Sequence, residues 1–109
     1  MPQELTFTLL PPANGSDHRW VNIDRNGIRV GKARGKADGN VLTIYSINIF
    51  PEFEGRKYGK RTIDFFKSRF STIIADRVRP TAKGFWEKMG FVSRGDGSYI
   101  FMKNSHINT

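Results

Sequence analysis

A short run of glycines and cations between a predicted strand and a predicted helix carries the most evident chemistry of this sequence. It covers residues 54–61 and reads Glu-Gly-Arg-Lys-Tyr-Gly-Lys-Arg. Where a loop leads into a helix, backbone N–H groups converge and the positive end of the helix dipole favours an anion. The cations beside that point are Arg56, Lys57, Lys60 and Arg61. The stretch predicts a site for a phosphate-bearing ligand, although an ordinary solvated connection reads the same way when taken alone.

Length and composition limit the other possibilities. The 109 residues form one domain, predicted over residues 1–103 and followed by a polar tail, 104–109. The absence of cysteine excludes disulfides, thiolate zinc sites and a cysteine nucleophile, and no metal site is expected. The formal net charge of +8 favours polyanions such as nucleic acid, acidic lipid headgroups or a multiply phosphorylated cofactor.

The sequence predicts neither a membrane span nor a secretory signal. No apolar run approaches the roughly 20 residues that cross a bilayer. The first residues lack a basic region followed by an apolar stretch. We therefore expect no membrane partner and a cytoplasmic location.

Hydrophobic patterning predicts an α+β fold. The predicted order is four strands, a helix from Tyr58 or Gly59, a strand, a helix over 80–89, and two strands. The sheet is then mostly antiparallel, with one parallel βαβ crossover through its centre. The central strand, 41–50, carries apolar residues on both faces. Strict alternation would place Ile47 and Ile49 on the face opposite Leu42 and Ile44.

Two segments in this order resemble the GNAT superfamily of acyl-coenzyme A N-acyltransferases. The first is Pro-Glu-Phe-Glu-Gly-Arg-Lys-Tyr-Gly at 51–59, similar to the family's glycine loop opening a helix. The second is Ala-Lys-Gly-Phe-Trp-Glu-Lys-Met-Gly-Phe at 82–91, similar to a family helix that reads Ala-x-x-Phe-Tyr-Glu-Lys-x-Gly-Phe. Together with the strand between them they cover about residues 42–92.

The resemblance implies a coenzyme A site along the central strand and the loop. The loop N–H groups would cradle the pyrophosphate, and the splayed end of the strand would bind the pantetheine arm and the thioester carbonyl through its backbone. The implied coenzyme-binding residues are Ile47, Asn48, Ile49, Gly55, Arg56, Lys57, Tyr58, Gly59, Lys60 and Arg61. Arg79 is either a phosphate contact or solvated, and Phe85 either a ligand contact or a core residue.

The sequence departs from the family pattern at positions that matter for catalysis. Trp86 occupies the place of a tyrosine that, in many members, protonates the departing thiolate. Because an indole N–H is too weak an acid for that step, Trp86 would only stabilise the thiolate. The acid is then water, Tyr45 or Tyr58. Glu52, or its neighbour Glu54, is the candidate general base.

The loop departs from the pattern as well. Lys57 replaces a glycine, and Glu54 replaces a glutamine or arginine. We expect the Glu54 side chain to face away from the coenzyme or to pair with Arg56 or Lys60. The family's usual helices between the first two strands do not fit into residues 11–17. The acceptor side is then open, or completed by another chain such as the second copy of a homodimer.

The resemblance implies an acetyl-CoA-dependent N-acetyltransferase in which an amine, on a small molecule or a protein, attacks the thioester directly. One alternative is a non-catalytic module that binds coenzyme A. Another is a nucleic-acid-binding protein that uses the cations of the second hairpin, Arg25, Arg29, Lys32, Arg34 and Lys36. We expect most aromatic residues to lie in the core rather than between these cations, which weakens the nucleic-acid alternative.

Overall fold

The computed structural model of the chain describes residues 4–12 and 15–103 and contains one seven-stranded sheet. The strands are β1 (Leu5–Leu9), β2 (Arg19–Arg25), β3 (Ile28–Asp38), β4 (Val41–Ile49), β5 (Thr72–Ala75), β6 (Val92–Ser93) and β7 (Tyr99–Met102). Their order across the sheet is β1-β2-β3-β4-β5-β7-β6, and only β4 and β5 run parallel. The predicted α+β architecture is confirmed. The predicted tail lies outside the described residues.

Two helices connect the strands around the parallel pair. Helix α1 (Tyr58–Arg69) follows β4, and helix α2 (Lys83–Lys88) follows β5 after a 3-10 turn (Pro80–Ala82). A second 3-10 turn (Pro51–Phe53) separates β4 from the loop before α1. The hairpin at Asn26-Gly27 has φ angles of 51° and 83°, the left-handed pair that a two-residue type I′ turn requires.

Both helices pack on one face of the sheet, which we call the covered face. Ile63 and Phe66 of α1 share a buried cluster with Trp86 of α2 and with Leu42 and Ile44 of β4. Lys67 links the helices, because its ammonium donates to the Met89 carbonyl at the end of α2. A smaller cluster of Ile23, Val30 and Tyr58 lies at the start of α1.

No helix covers the opposite face within the described residues, and we call it the open face. Described residues of the β1–β2 connection form only irregular structure and a turn, so the predicted lack of helices there is confirmed for that part of the chain. The side chains of the open face considered below are His18, Trp20, Lys32, Arg34, Lys36 and Tyr45. In the described ranges, neither helix is long and apolar enough to cross a bilayer.

A bulge in β4 corrects the predicted alternation of that strand. Arg34 of β3 lies opposite Ser46, but the next residue, Gly35, lies opposite Ile44, so Tyr45 is an extra residue in β4. An extra residue reverses the alternation beyond it. Ile47 therefore packs with the same cluster as Leu42 and Ile44, and the prediction that Ile47 and Ile49 face the other side is wrong.

Candidate functional site

A cleft opens where the two parallel strands separate. β4 and β5 pair only from Val41–Ile44 to Thr72–Ala75, and the last ladder contact is the Asp76 N–H donating to the Ile44 carbonyl at 2.9 Å. Beyond it the chains diverge around a cleft of about 360 Å³. The lining residues are Ile44, Tyr45, Ser46, Ile47, Asn48, Ala75, Asp76, Arg77, Val78, Arg79, Ala82 and Trp86. Crevices beyond the carboxyl ends of parallel strands are where α/β sheets bind ligands.

The edge of β4 beside this cleft has unpaired backbone groups. The Phe50 N–H donates to the Val30 carbonyl at 2.8 Å, which fixes the alternation of the β3–β4 ladder. Since neighbouring residues of an antiparallel strand point their N–H and C=O groups to opposite sides, those of Ile47 and Ile49 point away from β3. No β5 residue pairs with β4 at these positions. An extended ligand can therefore hydrogen-bond to this edge as an added strand would.

The loop after β4 leads into an uncapped helix. Gly55 and Lys57 have φ angles of 82° and 65°, and Lys57 is the N-cap of α1. The first turn has no side-chain cap and no acidic residue. The first helical hydrogen bond runs from the Arg61 N–H to the Lys57 carbonyl at 3.0 Å, so the N–H groups of Gly59 and Lys60 have no acceptor within the helix. This is the geometry of an anion site, and it lies just past the end of β4.

The charges around the loop leave its cationic character intact. Arg56 and Lys57 are exposed. Lys60 pairs with Asp64 one helical turn further on, at 2.8 Å, and not with Glu54. Glu54 is exposed and forms no ion pair among the described residues, so the predicted pairing with Arg56 or Lys60 does not occur. Lys60 prefers Asp64 because residues four apart are neighbours on a helix.

Known proteins share part of the sequence of this chain, and others share its fold. An N-acetyltransferase of Oceanobacillus iheyensis, itself uncharacterised, is 37% identical over 51 residues, which are 47% of this chain and 31% of that protein. A Bacillus cereus relative, also called an uncharacterised N-acetyltransferase, is 28% identical over 74 residues, which are 65% of this chain and 46% of that protein. The chain thus spans less than half the length of either relative. No protein-family model matches the sequence.

Solved structures agree on the fold. The E. coli protein YhhK, in a solution structure bound to coenzyme A, has a TM-score of 0.72 at 14% identity, over 91% of this chain and 98% of that one. The Bacillus subtilis N-acetyltransferase YlbP, in complex with coenzyme A, has a TM-score of 0.65 at 20% identity, over 78% of this chain and 68% of that one. The chain therefore has the fold of GNAT acetyltransferases, and part of its sequence is similar to curated N-acetyltransferases.

Trp86, at the tyrosine position of the GNAT pattern, lines the cleft from the covered face. Its ring is 5% exposed and packs edge-on against Phe85 and Phe91, with centroids 5.1 and 4.9 Å away. Phe85 does not line the cleft but lies against the first turn of α1, where a Cβ added to Gly59 would come within 3.4 Å of its ring. Phe85 therefore links the loop to the helix that carries Trp86.

Tyr45 lines the cleft from the open face, where its ring stacks on His18 with centroids 4.2 Å apart. The other two tyrosines, both described, lie elsewhere. Tyr58 is 2% exposed, and its hydroxyl accepts a hydrogen bond from Arg25 at 3.3 Å. Tyr99 donates to Glu87 at 3.3 Å, and burial raises the pKa of its phenol. The bulge thus places one tyrosine of the three at the cleft.

The structure also brings in two residues that the sequence analysis did not assign to this site. Asp76 is the sole carboxylate among the cleft-lining residues, whereas Glu52 and Glu54 are exposed in the loop region and do not line it. The position of Asp76 directly after β5 was the available signal in the sequence, because polar residues that follow parallel strands face the ligand crevice. Arg79, which the sequence analysis named as a possible phosphate contact, is exposed at the rim of the same cleft.

Arg25 is the second such residue. It lies beside the start of α1, hydrogen-bonded to Tyr58 and with its guanidinium 5.9 Å from the Phe53 ring centroid. Arg56 approaches the same ring at 6.0 Å. Arg25 therefore supports the loop and does not belong to a cationic stripe along the hairpin. No local sequence signal connects it to Tyr58, because 33 residues separate them.

Proposed function

We propose that this chain binds acetyl-coenzyme A and transfers the acetyl group to an amine by direct attack. The observation that carries the proposal is the separation of β4 and β5 beside an uncapped, cation-lined helix start. The free edge of β4 at this separation binds the extended thioester arm, and the helix start binds the pyrophosphate. The two features follow one another along the chain. The coenzyme A complexes of YlbP and YhhK support this choice of ligand.

In the proposed complex the loop holds the pyrophosphate. The N–H groups of Gly59 and Lys60 donate to its oxygens, and the neighbouring cations supply charge. Gly55 and Lys57 give the loop the left-handed turns that direct these N–H groups outward. Tyr58 and Arg61 continue the helix behind them, and Arg79 meets a phosphate from the far side of the cleft.

The pantetheine arm lies along the free edge of β4. Its amides pair with the backbone of Ile47 and Ile49, while the exposed Asn48 stands at the mouth. The thioester then reaches the bulge, where backbone N–H groups polarise its carbonyl oxygen. Donors that are already in place stabilise the negative charge of the tetrahedral intermediate without reorganisation.

The transfer requires two proton movements. As the amine nitrogen bonds to the carbonyl carbon, its proton passes to Asp76, directly or through water. As the carbon–sulfur bond breaks, the Tyr45 hydroxyl donates its proton to the thiolate, and the Trp86 N–H adds a hydrogen bond from the other side. General acid catalysis of this kind contributes about 10²- to 10⁴-fold. Tyr45 and Asp76 are chosen because both line the cleft; Glu52 does not.

Thermal unfolding tests the binding half of the proposal. Coenzyme A at a hundredfold excess over its Kd should stabilise the protein by about 2.7 kcal/mol. Pantetheine, which lacks the pyrophosphate, should bind more weakly. Arg56→Glu should lower affinity for coenzyme A about tenfold or more and leave that for pantetheine unchanged. Lys88→Glu, an exposed charge reversal on α2, is the control. No shift at millimolar coenzyme A would refute the proposal.

A second candidate is a protein that binds coenzyme A without transferring its acyl group. The tryptophan at the tyrosine position favours it, since indole cannot protonate a thiolate. The two candidates differ in a single-turnover assay that follows thiol release from acetyl-coenzyme A in the presence of amines. Release that depends on the amine and yields the acetylated amine supports transfer. Stabilisation by coenzyme A together with no release above the uncatalysed rate supports binding alone.

A further inference from the structure

Among the described residues, the cleft is open to an acceptor amine on one face of the sheet. On the covered face the cleft is closed by Ala82 and the buried Trp86. On the open face no described helix lies over β4, and Tyr45 is half-buried at the surface. An amine that meets the thioester at the bulge therefore crosses the open face. The side chains there are the ones that an acceptor touches first.

Cations and aromatic rings are interleaved on this face. The Lys32 ammonium lies 4.9 Å from the Trp20 ring centroid, and the Arg34 guanidinium lies 5.6 Å from Trp20 and 5.9 Å from Tyr45. Most aromatic residues do lie in the core clusters, as expected, but Trp20 and Tyr45 lie beside these cations. The rings hold the cations by cation–π attraction, which fixes long side chains in place while their N–H donors stay available.

Arg34 has an unused donor at the centre of this arrangement. Its Nε atom is buried and has no hydrogen-bond partner among the described residues. Buried donors are rarely left without an acceptor, so this N–H is available to a ligand that fits beside it. Arg25 Nε is in the same state, but the Arg25 guanidinium already donates to Tyr58 through another nitrogen. Arg34 lies directly opposite Ser46, which lines the cleft. One strand spacing, about 4.8 Å, separates their backbones.

We propose that Arg34, assisted by Lys32, binds a carboxylate or phosphate group of the acceptor and so selects small anionic amines. The inference rests on the proposed transferase function. An arginine fork suits both kinds of anion. With the anion at Arg34 and the amine at the bulge, the two groups of the acceptor are a few bonds apart, as in a short amino acid or an aminoalkyl phosphate.

Single-stranded nucleic acid fits this face less well. Bases bind such surfaces by stacking on free aromatic rings. Here Trp20 lies beside two cations, and Tyr45 lies between His18 and Arg34. Lys36 is also engaged, 3.0 Å from Asp17. The face therefore presents donors for one compact anion more readily than stacking platforms for a strand.

Kinetics with matched amines test the inference. The pairs are O-phosphoethanolamine with ethanolamine, and β-alanine with propylamine. The wild type should prefer the anionic member of at least one pair by about tenfold or more in kcat/KM, and the pair that responds identifies the anion. Arg34→Gln should lower kcat/KM for that anionic amine about 10- to 100-fold, mainly through KM, and leave the uncharged amine within about twofold. Arg34→Lys should restore part of the loss.

Lys88→Gln removes the same charge at a distance and should change neither member. Equal rates within both pairs, or an equal loss for both members in Arg34→Gln, would overturn the inference. Arg34→Gln should also retain the stabilisation of the wild type by coenzyme A, which separates a lost acceptor site from a lost fold.

A second readout does not depend on catalysis. The NMR signal of the Arg34 Nε–H should shift on titration with O-phosphoethanolamine or β-alanine, with saturation, and should not shift with ethanolamine. If transfer fails but this shift occurs, the anion site stands and the transferase proposal falls. If transfer occurs without the shift, the inference falls. Tight, salt-dependent binding of an oligothymidylate that perturbs the Trp20 indole signal would also overturn it, in favour of a nucleic-acid surface.

Discussion

On the covered face, Ile23, Val30 and Ile73 are fully buried, whereas on the open face Trp20 is 37% exposed with two cations beside its ring. The two faces are built from alternate residues of the same strands. Burial of apolar area stabilises the covered face. The open face keeps polar and aromatic side chains in fixed positions without a helix over them. If the proposed function is correct, stability and catalysis depend on different faces of the sheet, and mutations should separate them.

Tyr45→Phe should give the largest effect and should act on chemistry alone. Removing the proposed acid should lower kcat about 10²- to 10⁴-fold. The ring remains on His18, so the free energy of unfolding should change by less than about 0.5 kcal/mol. The measurements are the rate of acetyl transfer and the urea midpoint. Unchanged kcat would assign the proton to water and remove Tyr45 from the mechanism.

Ile63→Ala should show the reverse behaviour on the covered face. Ile63 is fully buried in α1, and alanine favours the helix, so the loss of stability measures the cost of the cavity. We expect a destabilisation of about 2–5 kcal/mol by urea unfolding. Below the unfolding transition, kcat should remain close to that of the wild type. A large fall in kcat in folded protein would show that the two faces are coupled.

Lys57→Gly, in the loop before α1, should have a smaller effect. Lys57 has a φ of 65°, in the left-handed region that costs a non-glycine residue about 1–2 kcal/mol. Glycine removes this strain but adds chain entropy to the unfolded state, so stability should change by no more than about 1 kcal/mol. Affinity for coenzyme A should fall modestly with the lost charge, and Lys57→Ala, which keeps the strain, is the control. If Lys57→Ala is as stable as Lys57→Gly, the strain is not stored at this position.

Substitutions of two lysines should have the smallest effects on stability, and the two effects should change with pH in opposite directions. Burial lowers the pKa of Lys67 on the covered face, whereas the hydrogen bond to Asp17 raises the pKa of Lys36 on the open face. Between its lowered pKa and the usual value of lysine, Lys67 binds fewer protons folded than unfolded, so its contribution to stability rises with pH. The contribution of Lys36 is present below the usual value and is lost as pH rises through its raised pKa.

Urea unfolding of Lys67→Met and Lys36→Met from pH 8 to pH 11 checks these signs against the wild type. The difference between wild type and Lys67→Met should increase with pH, and that for Lys36→Met should decrease. Subtracting each variant from the wild type removes titrations that they share, including that of Tyr99. Slopes of the same sign would mean that the faces do not differ electrostatically.

The sequence predicted most of what local interactions control. The Asn26-Gly27 turn, the helix beginning at Tyr58 and the parallel placement of β5 all follow from turn chemistry and hydrophobic period. The glycine loop and the second segment were enough to indicate the family. Arg25, by contrast, was grouped with the hairpin cations, because nothing local connects it to Tyr58.

Only the tertiary structure decided what each face of the sheet does. The bulge at Tyr45 depends on the pairing of β3 with β4, and it turns Ile47 and Ile49 into the core while Tyr45 stays at the cleft. The meeting of Trp20, Arg34 and Tyr45 depends on the same pairing, across three strands. The amino-acid sequence by itself determined a sheet with a loop suited to an anion. Strand register, which is set by burial over the whole sheet, decided which side chains line the cleft.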